Sequence, residues 1–74
     1  MTEEKFLDFV ADVMNVDVSE ISMNTVYKEY SGWDSLMMLN LIMEIEEEYQ
    51  VCIPLERVGE IRTLKNMYDM IRVQ

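Results

Sequence analysis

The chain has 74 residues, half of them apolar, and carries 15 acidic against 6 basic side chains, for a net charge of −9 at pH 7. A chain this short makes one domain, residues 1–74, with a thin core. Its charge argues against nucleic acid and anionic membrane, which need basic patches, and suits partners with basic docking surfaces.

One cysteine precludes an internal disulfide, and the absence of histidine removes the usual zinc sites. Cys52 is expected to be a small buried thiol in a reducing compartment. No basic-then-apolar leader and no long uncharged span occur, so a soluble, cytoplasmic monomer without membrane insertion is expected. The charge is unevenly spread. Residues 1–54 hold 12 acids and 2 bases, net −10, whereas 55–74 hold 3 acids and 4 bases, net +1. Repulsion at this density should weaken the fold at low salt.

Thr2 is placed to cap a first helix over 2–15, with Glu3 and Glu4 in its first turn where acids suit the dipole. Phe6, Leu7, Phe9, Val10, Val13 and Met14 form its apolar stripe, with Asp8 and Asp12 opposite. From 16 to 33 periodicity fades and Asn, Asp, Ser and Gly punctuate the run. Val18, Ile21, Met23, Val26 and Tyr27 are too apolar for a solvated linker. A long loop pinned to the core is predicted, with a helical turn near 19–22. Lys28 reads as a solvated charge.

Asp34 is well placed to cap the next helix. At roughly 100° per residue, Met38, Leu41, Ile42, Ile45 and Tyr49 share a core face. Nearly opposite lie Leu36, Asn40, Met43 and Glu47, with Leu39 at the edge. A surface helix should be polar there, so the exposed Leu36, Leu39 and Met43 point to a contact surface. Glu44, Glu46, Glu47 and Glu48 oppose the dipole at the helix's C-terminal end. That arrangement is read as partner-facing, in preference to a weak divalent-cation site. Pro54 stops any continuation, 55–61 reads as a helix of one to two turns, and Thr63 caps a final helix to about 73. Leu64, Met67, Tyr68, Met70 and Ile71 are available to pack it, and Arg72 suits its end. The fold class is all-α: a small four-helix bundle of three longer helices and a short one, with a long first loop.

Ser35 opens the second helix. On composition alone it is a good early-helix residue. Nucleophilic catalysis is disfavoured, because no histidine exists to act as base and no Gly-x-Ser-x-Gly elbow is present. Gly-rich phosphate loops and Asp-rich calcium loops are missing as well, so neither an enzyme nor a metal site is expected. The chemistry that suits the position is acceptance of a phosphate ester, since a helix N-terminus stabilises an attached anion.

Asp34-Ser35-Leu36, the helix ending Glu46-Glu47-Glu48-Tyr49, then Ile53-Pro54 and the Ile61-x-Thr63 entry to the last helix resemble an acyl carrier protein over essentially the whole chain. The resemblance implies a bundle of acyl-carrier type and covalent 4′-phosphopantetheine on Ser35, delivered from coenzyme A by a Mg²⁺-dependent phosphopantetheinyl transferase, with Asp34 supporting the modification. The arm's thiol would carry acyl or aminoacyl groups as thioesters. Leu36, Leu39, Asn40, Met43 and Glu47, with the neighbouring Met37, match the family's partner-recognition face. Partners would be the transferase, an acyl ligase or acyltransferase, and other pathway enzymes. A bundle of this kind can admit an acyl chain among its eight methionines, although plain core filling is the favoured role for Met.

The sequence also departs from the family pattern. Carriers of central fatty-acid synthesis typically have acids just after the serine, where Met37, Met38 and Asn40 stand here, and Glu44 occupies a place where a small residue is common. Together with Trp33 and the Leu-Asn-Leu-Ile run, this resembles specialised freestanding carriers serving a polyketide, modified-lipid or acyl-sugar pathway. The alternatives are an aminoacyl or peptidyl carrier and an unmodified helical interaction module.

Overall fold

The computed structural model of the protein describes residues 2–26, 29 and 34–73. The expectations placed on Tyr27, Lys28 and Trp33 lie outside those residues. Within them the chain is helical without a strand: α1 spans Glu3–Met14, α2 Ser35–Tyr49 and α3 Leu64–Arg72, with 3₁₀ turns at Val18–Glu20 and Leu55–Glu60. The all-α bundle read from the sequence is the fold observed, and the short fourth helix takes the tighter 3₁₀ form.

Each helix starts on the residue that its sequence nominates. The Thr2 hydroxyl accepts from the Lys5 N–H at 3.2 Å, and α1 ends on Asn15, which adopts the left-handed conformation at φ 59°. In α3, Thr63 Oγ1 accepts from the Asn66 N–H while Asn66 Oδ1 accepts from the Thr63 N–H, a reciprocal cap. The turn at Val18–Glu20 is capped by Asp17. Bonds from Ser19, backbone N–H first, hold the Asp17 carboxyl below the usual aspartate range.

The buried residues form one cluster, which the helical period had largely marked out. Phe6, Val10 and Met14 come from α1, Met38, Leu41, Ile42 and Ile45 from α2, and Leu64, Met67 and Ile71 from α3. Phe6 joins all three helices: it is fully buried, with its ring centroid 5.3 Å from Tyr68 and 6.4 Å from Tyr49. Three of the methionines, Met14, Met38 and Met67, fill core space. In the first loop, Ile21 is buried and Met23 half-buried, whereas Val18 and Val26 are exposed. Backbone bonds do much of the pinning instead. The Leu64 and Lys65 N–H groups donate to the carbonyls of Thr25 and Met23, and Val26 pairs with Thr63 in an isolated antiparallel bridge.

Two expectations need correction. Cys52 is exposed rather than buried. The stretch after α2 is extended, so successive side chains alternate, and sending Ile53 into the core sends Cys52 outward. Glu46 also leaves the acidic set to which the sequence assigned it. Its carboxylate is half-buried and accepts from the Ile53 N–H at 2.7 Å, a structural partner that Glu44, Glu47 and Glu48 do not have among the described residues.

The charge asymmetry has an energetic counterpart. Among the described residues, all the ion pairs lie in the last third: Arg57 with Glu60, and Asp69 with both Lys65 and Arg72. The acids of α1 and α2 repel one another without such compensation. Shortening the Debye length from about 30 Å to about 8 Å with monovalent salt is therefore expected to raise the melting temperature. A rise of about 4–8 °C would correspond to roughly 1 kcal/mol of relieved repulsion in a domain this small. Scanning calorimetry across a salt series measures it, and an unmoved Tm would show that repulsion is immaterial.

Candidate functional site: the N-terminus of the second helix

Ser35 is the first residue of α2, and its side chain is exposed. Asp34 precedes it with extended backbone at φ −141°, ψ −177° and caps the helix. One carboxylate oxygen, Oδ1, accepts from the Met37 N–H at 2.9 Å, and the Asp34 carbonyl accepts from the Met38 N–H at 3.1 Å. The cap fixes the serine at the mouth of the helix, where Asp34 and Ser35 are both exposed.

The helix ends differ in how their amides are used. A helix leaves about four N–H groups without intrahelical partners at its start. At α3 these are all taken, by Asn66, Thr25, Met23 and Thr63. At α2 the cap engages Met37, and among the described residues the amides of Ser35 and Leu36 have no acceptor. The first turn of α2 also contains no acidic residue, whereas that of α1 holds Glu3 and Glu4. A phosphate ester on Ser35 Oγ would therefore meet the positive end of the dipole and two amides that have no acceptor among the described residues. The residues present fit such a group.

Behind the serine, α2 presents two faces. Met38, Leu41, Ile42 and Ile45 are buried, and Tyr49 is half-buried with its ring 5.6 Å from Phe9. Desolvation, then the Glu48 charge and Tyr68, raise the Tyr49 phenol above its ordinary value. On the other side Leu36 is 75% exposed, Met43 65% and Leu39 44%, with Asn40 and Glu47 exposed beside them. Met37, assigned to the same face, is half-buried between the two. The helix thus has the rotation that its sequence period predicts, and it displays three large apolar side chains in water behind Ser35. Sequence reasoning missed Leu55, which is 70% exposed on the 3₁₀ turn after Pro54. Only a helical period could have revealed its direction, and a six-residue segment is too short to give one.

Over residues 4–71 the chain matches the family described as "Phosphopantetheine attachment site". It is 35% identical to an acyl carrier protein of Porphyromonas gingivalis over 69 residues, covering 93% of this chain and 88% of that protein. An acyl carrier protein of Clostridium acetobutylicum is 32% identical over 72 residues, covering 97% and 94%. One from Rickettsia bellii is 31% identical over 70 residues, covering 95% and 81%.

Proposed function

The chain belongs to the acyl carrier protein family, whose members carry covalent 4′-phosphopantetheine, and we propose that Ser35 is the attachment point in this member. The observation that carries the assignment is an exposed serine at the start of α2, directly behind a capping aspartate. When bound, the arm supplies a terminal thiol that holds acyl groups as thioesters. The protein's own work is to hold and display. Ser35 Oγ forms the phosphodiester, the adenosine bisphosphate half of coenzyme A leaves, and the hydroxyl proton is lost to the transferase or solvent. Asp34 caps the helix through the Met37 amide, and its exposed carboxylate would support the transferase's Mg²⁺-dependent step. The α2 amides and dipole then stabilise the attached phosphate.

In this reading residues 1–74 act as one monomeric, cytoplasmic carrier domain. Leu36, Met37, Leu39, Asn40, Met43 and Glu47 form the surface offered to the transferase, to an acyl ligase or acyltransferase, and to later pathway enzymes. Apolar contacts supply affinity there, and the surrounding glutamates favour basic docking surfaces. The apolar start of α2, in place of acids, supports a dedicated lipid, polyketide or acyl-sugar pathway rather than central fatty-acid synthesis.

Incubating the protein with coenzyme A, Mg²⁺ and a broad-specificity transferase should add one phosphopantetheine, read by mass spectrometry. No mass gain with several transferases would sink the carrier assignment and favour an unmodified interaction module. Loading the modified protein with acyl and aminoacyl groups by purified ligases then separates an acyl carrier from an aminoacyl or peptidyl one.

The docking face makes a separate demand. Met43→Glu and Glu47→Lys are each expected to weaken transferase binding about tenfold, a loss of about 1.4 kcal/mol. Both sites are exposed, so stability should stay within about 0.5 kcal/mol of the parent. Titration calorimetry and denaturant melts measure the two quantities, and unchanged binding by both variants would remove this face from the docking surface.

A further inference from the structure

We propose that Met43 is a site of reversible oxidation by peroxide, and that its sulfoxide turns off docking on the outer face of α2. The inference rests on the docking face proposed above and adds a chemical property to it. Eight methionines occur in the chain, and the fold sorts those described by their access to water. Met14, Met38 and Met67 are buried in the core, while Met23, Met37 and Met70 are half-buried. Among the described residues Met43 is the one exposed methionine, at 65%. An oxidant in solution therefore meets this thioether first. Residues three and four apart adjoin on a helix, so Met43 has Leu39 and Asn40 on one side and Glu47 on the other. All three are exposed, which puts the sulfur in the middle of the outward stripe.

The chemistry needs only the thioether and hydrogen peroxide. A sulfur lone pair attacks one peroxide oxygen, and the S–O bond forms as the O–O bond breaks. The departing hydroxide takes the proton from the transferred oxygen and leaves as water. Sulfur is oxidised by two electrons and the peroxide is reduced by two. A sulfoxide reductase reverses the change with a dithiol, which closes to a disulfide as the oxygen leaves in water. Oxidation puts a polar group where an apolar one stood. In the free protein the sulfoxide at Met43 is hydrated and the core is untouched. Pressed against a partner's apolar surface, the same oxygen loses its water and gains no donor, which is costly for a buried acceptor. Oxidation at Met43 therefore acts on docking and spares the fold, whereas Met14, Met38 and Met67 are reached only when the core opens.

Dilute hydrogen peroxide applied to the folded, full-length chain tests this. Peptide mass spectrometry should show Met43 gaining one oxygen before Met14, Met38 or Met67 does. A thiol reductant then reverses any sulfenic acid or disulfide at the exposed Cys52 and leaves the sulfoxide in place. Transferase binding by the oxidised protein should be about tenfold weaker than before treatment, the loss expected of Met43→Glu, and sulfoxide reductase should restore it. Met43→Leu removes the sulfur, so peroxide should not change that variant's binding, whatever its starting affinity. Oxidation spread evenly over the methionines would overturn the site. Peroxide weakening Met43→Leu as much as the parent would give the effect to another residue and overturn it too, as would a fall in melting temperature that tracks Met43 oxidation. Unchanged binding by the Met43 sulfoxide would overturn the switch. In that case Met43→Glu separates the two readings: weakened binding leaves the docking face standing, and unchanged binding removes it as well.

Discussion

Ser35→Ala is expected to abolish phosphopantetheinylation outright, with no mass gain under conditions that convert the parent protein completely. The effect is all-or-none because the substitution removes the only atom in the proposal that can form the ester. It should not disturb the fold. Ser35 is exposed and its hydroxyl bonds to none of the described residues, while alanine is the best helix former for a first turn. Unfolding of the variant should therefore stay within about 0.5 kcal/mol of the parent. Retention of the mass gain would move the attachment site elsewhere in the chain. Asp34 calls for a pair of variants, because it has two jobs. Asp34→Ala loses the Met37 cap and should cost about 1 kcal/mol of stability as well as slowing modification. Asp34→Ser keeps a capping oxygen and removes the negative charge. Slow modification of a fully stable Asp34→Ser variant is the expected result, and an unchanged rate would leave Asp34 with the cap alone.

The second large effect lies far from the site. Phe6→Ala should destabilise the protein by about 3–5 kcal/mol, the usual range for truncating a buried aromatic residue. Domains of this size have roughly 4–11 kcal/mol in total, taking about 0.05–0.15 kcal/mol per residue. Much of the variant is therefore expected to be unfolded or close to it at 37 °C. Phe6 matters this much because it is fully buried on α1 while touching Tyr49 at the end of α2 and Tyr68 in α3. Its removal opens a cavity where three helices meet, and the neighbouring side chains cannot fill it without moving a helix. Denaturant melts give the number. A loss under about 1.5 kcal/mol would mean that Tyr49 and Tyr68 collapse into the space, as volume-tolerant cores do.

Helix starts were legible because each depends on one short side chain reaching its own backbone three residues on. Thr2, Asp34 and Thr63 cap as their positions indicate. The faces of α1 and α2 were legible for a similar reason, since helices of 12 and 15 residues sample several turns and fix the angle of the apolar stripe. The same period turns Leu36, Leu39 and Met43 to solvent, where they lie. Ser35 needed more than its own surroundings: the missing histidine removed catalysis, and the ordered motifs along the chain supplied the family.

The sequence by itself determined the helices, their caps, the outward stripe on α2 and the serine at its mouth, all of which follow from contacts a few residues apart. Only the tertiary structure decided how the segments between helices are fastened. Cys52 faces water because Ile53 beside it is drawn into the core, and Glu46 serves the Ile53 amide although its neighbours suggested a uniform acidic face. The first loop is held by carbonyls that satisfy the start of α3, thirty-nine residues and more along the chain from Thr25 and Met23. Bonds of that kind join residues with no shared period, and they form only once the helices have packed and buried polar groups must find partners.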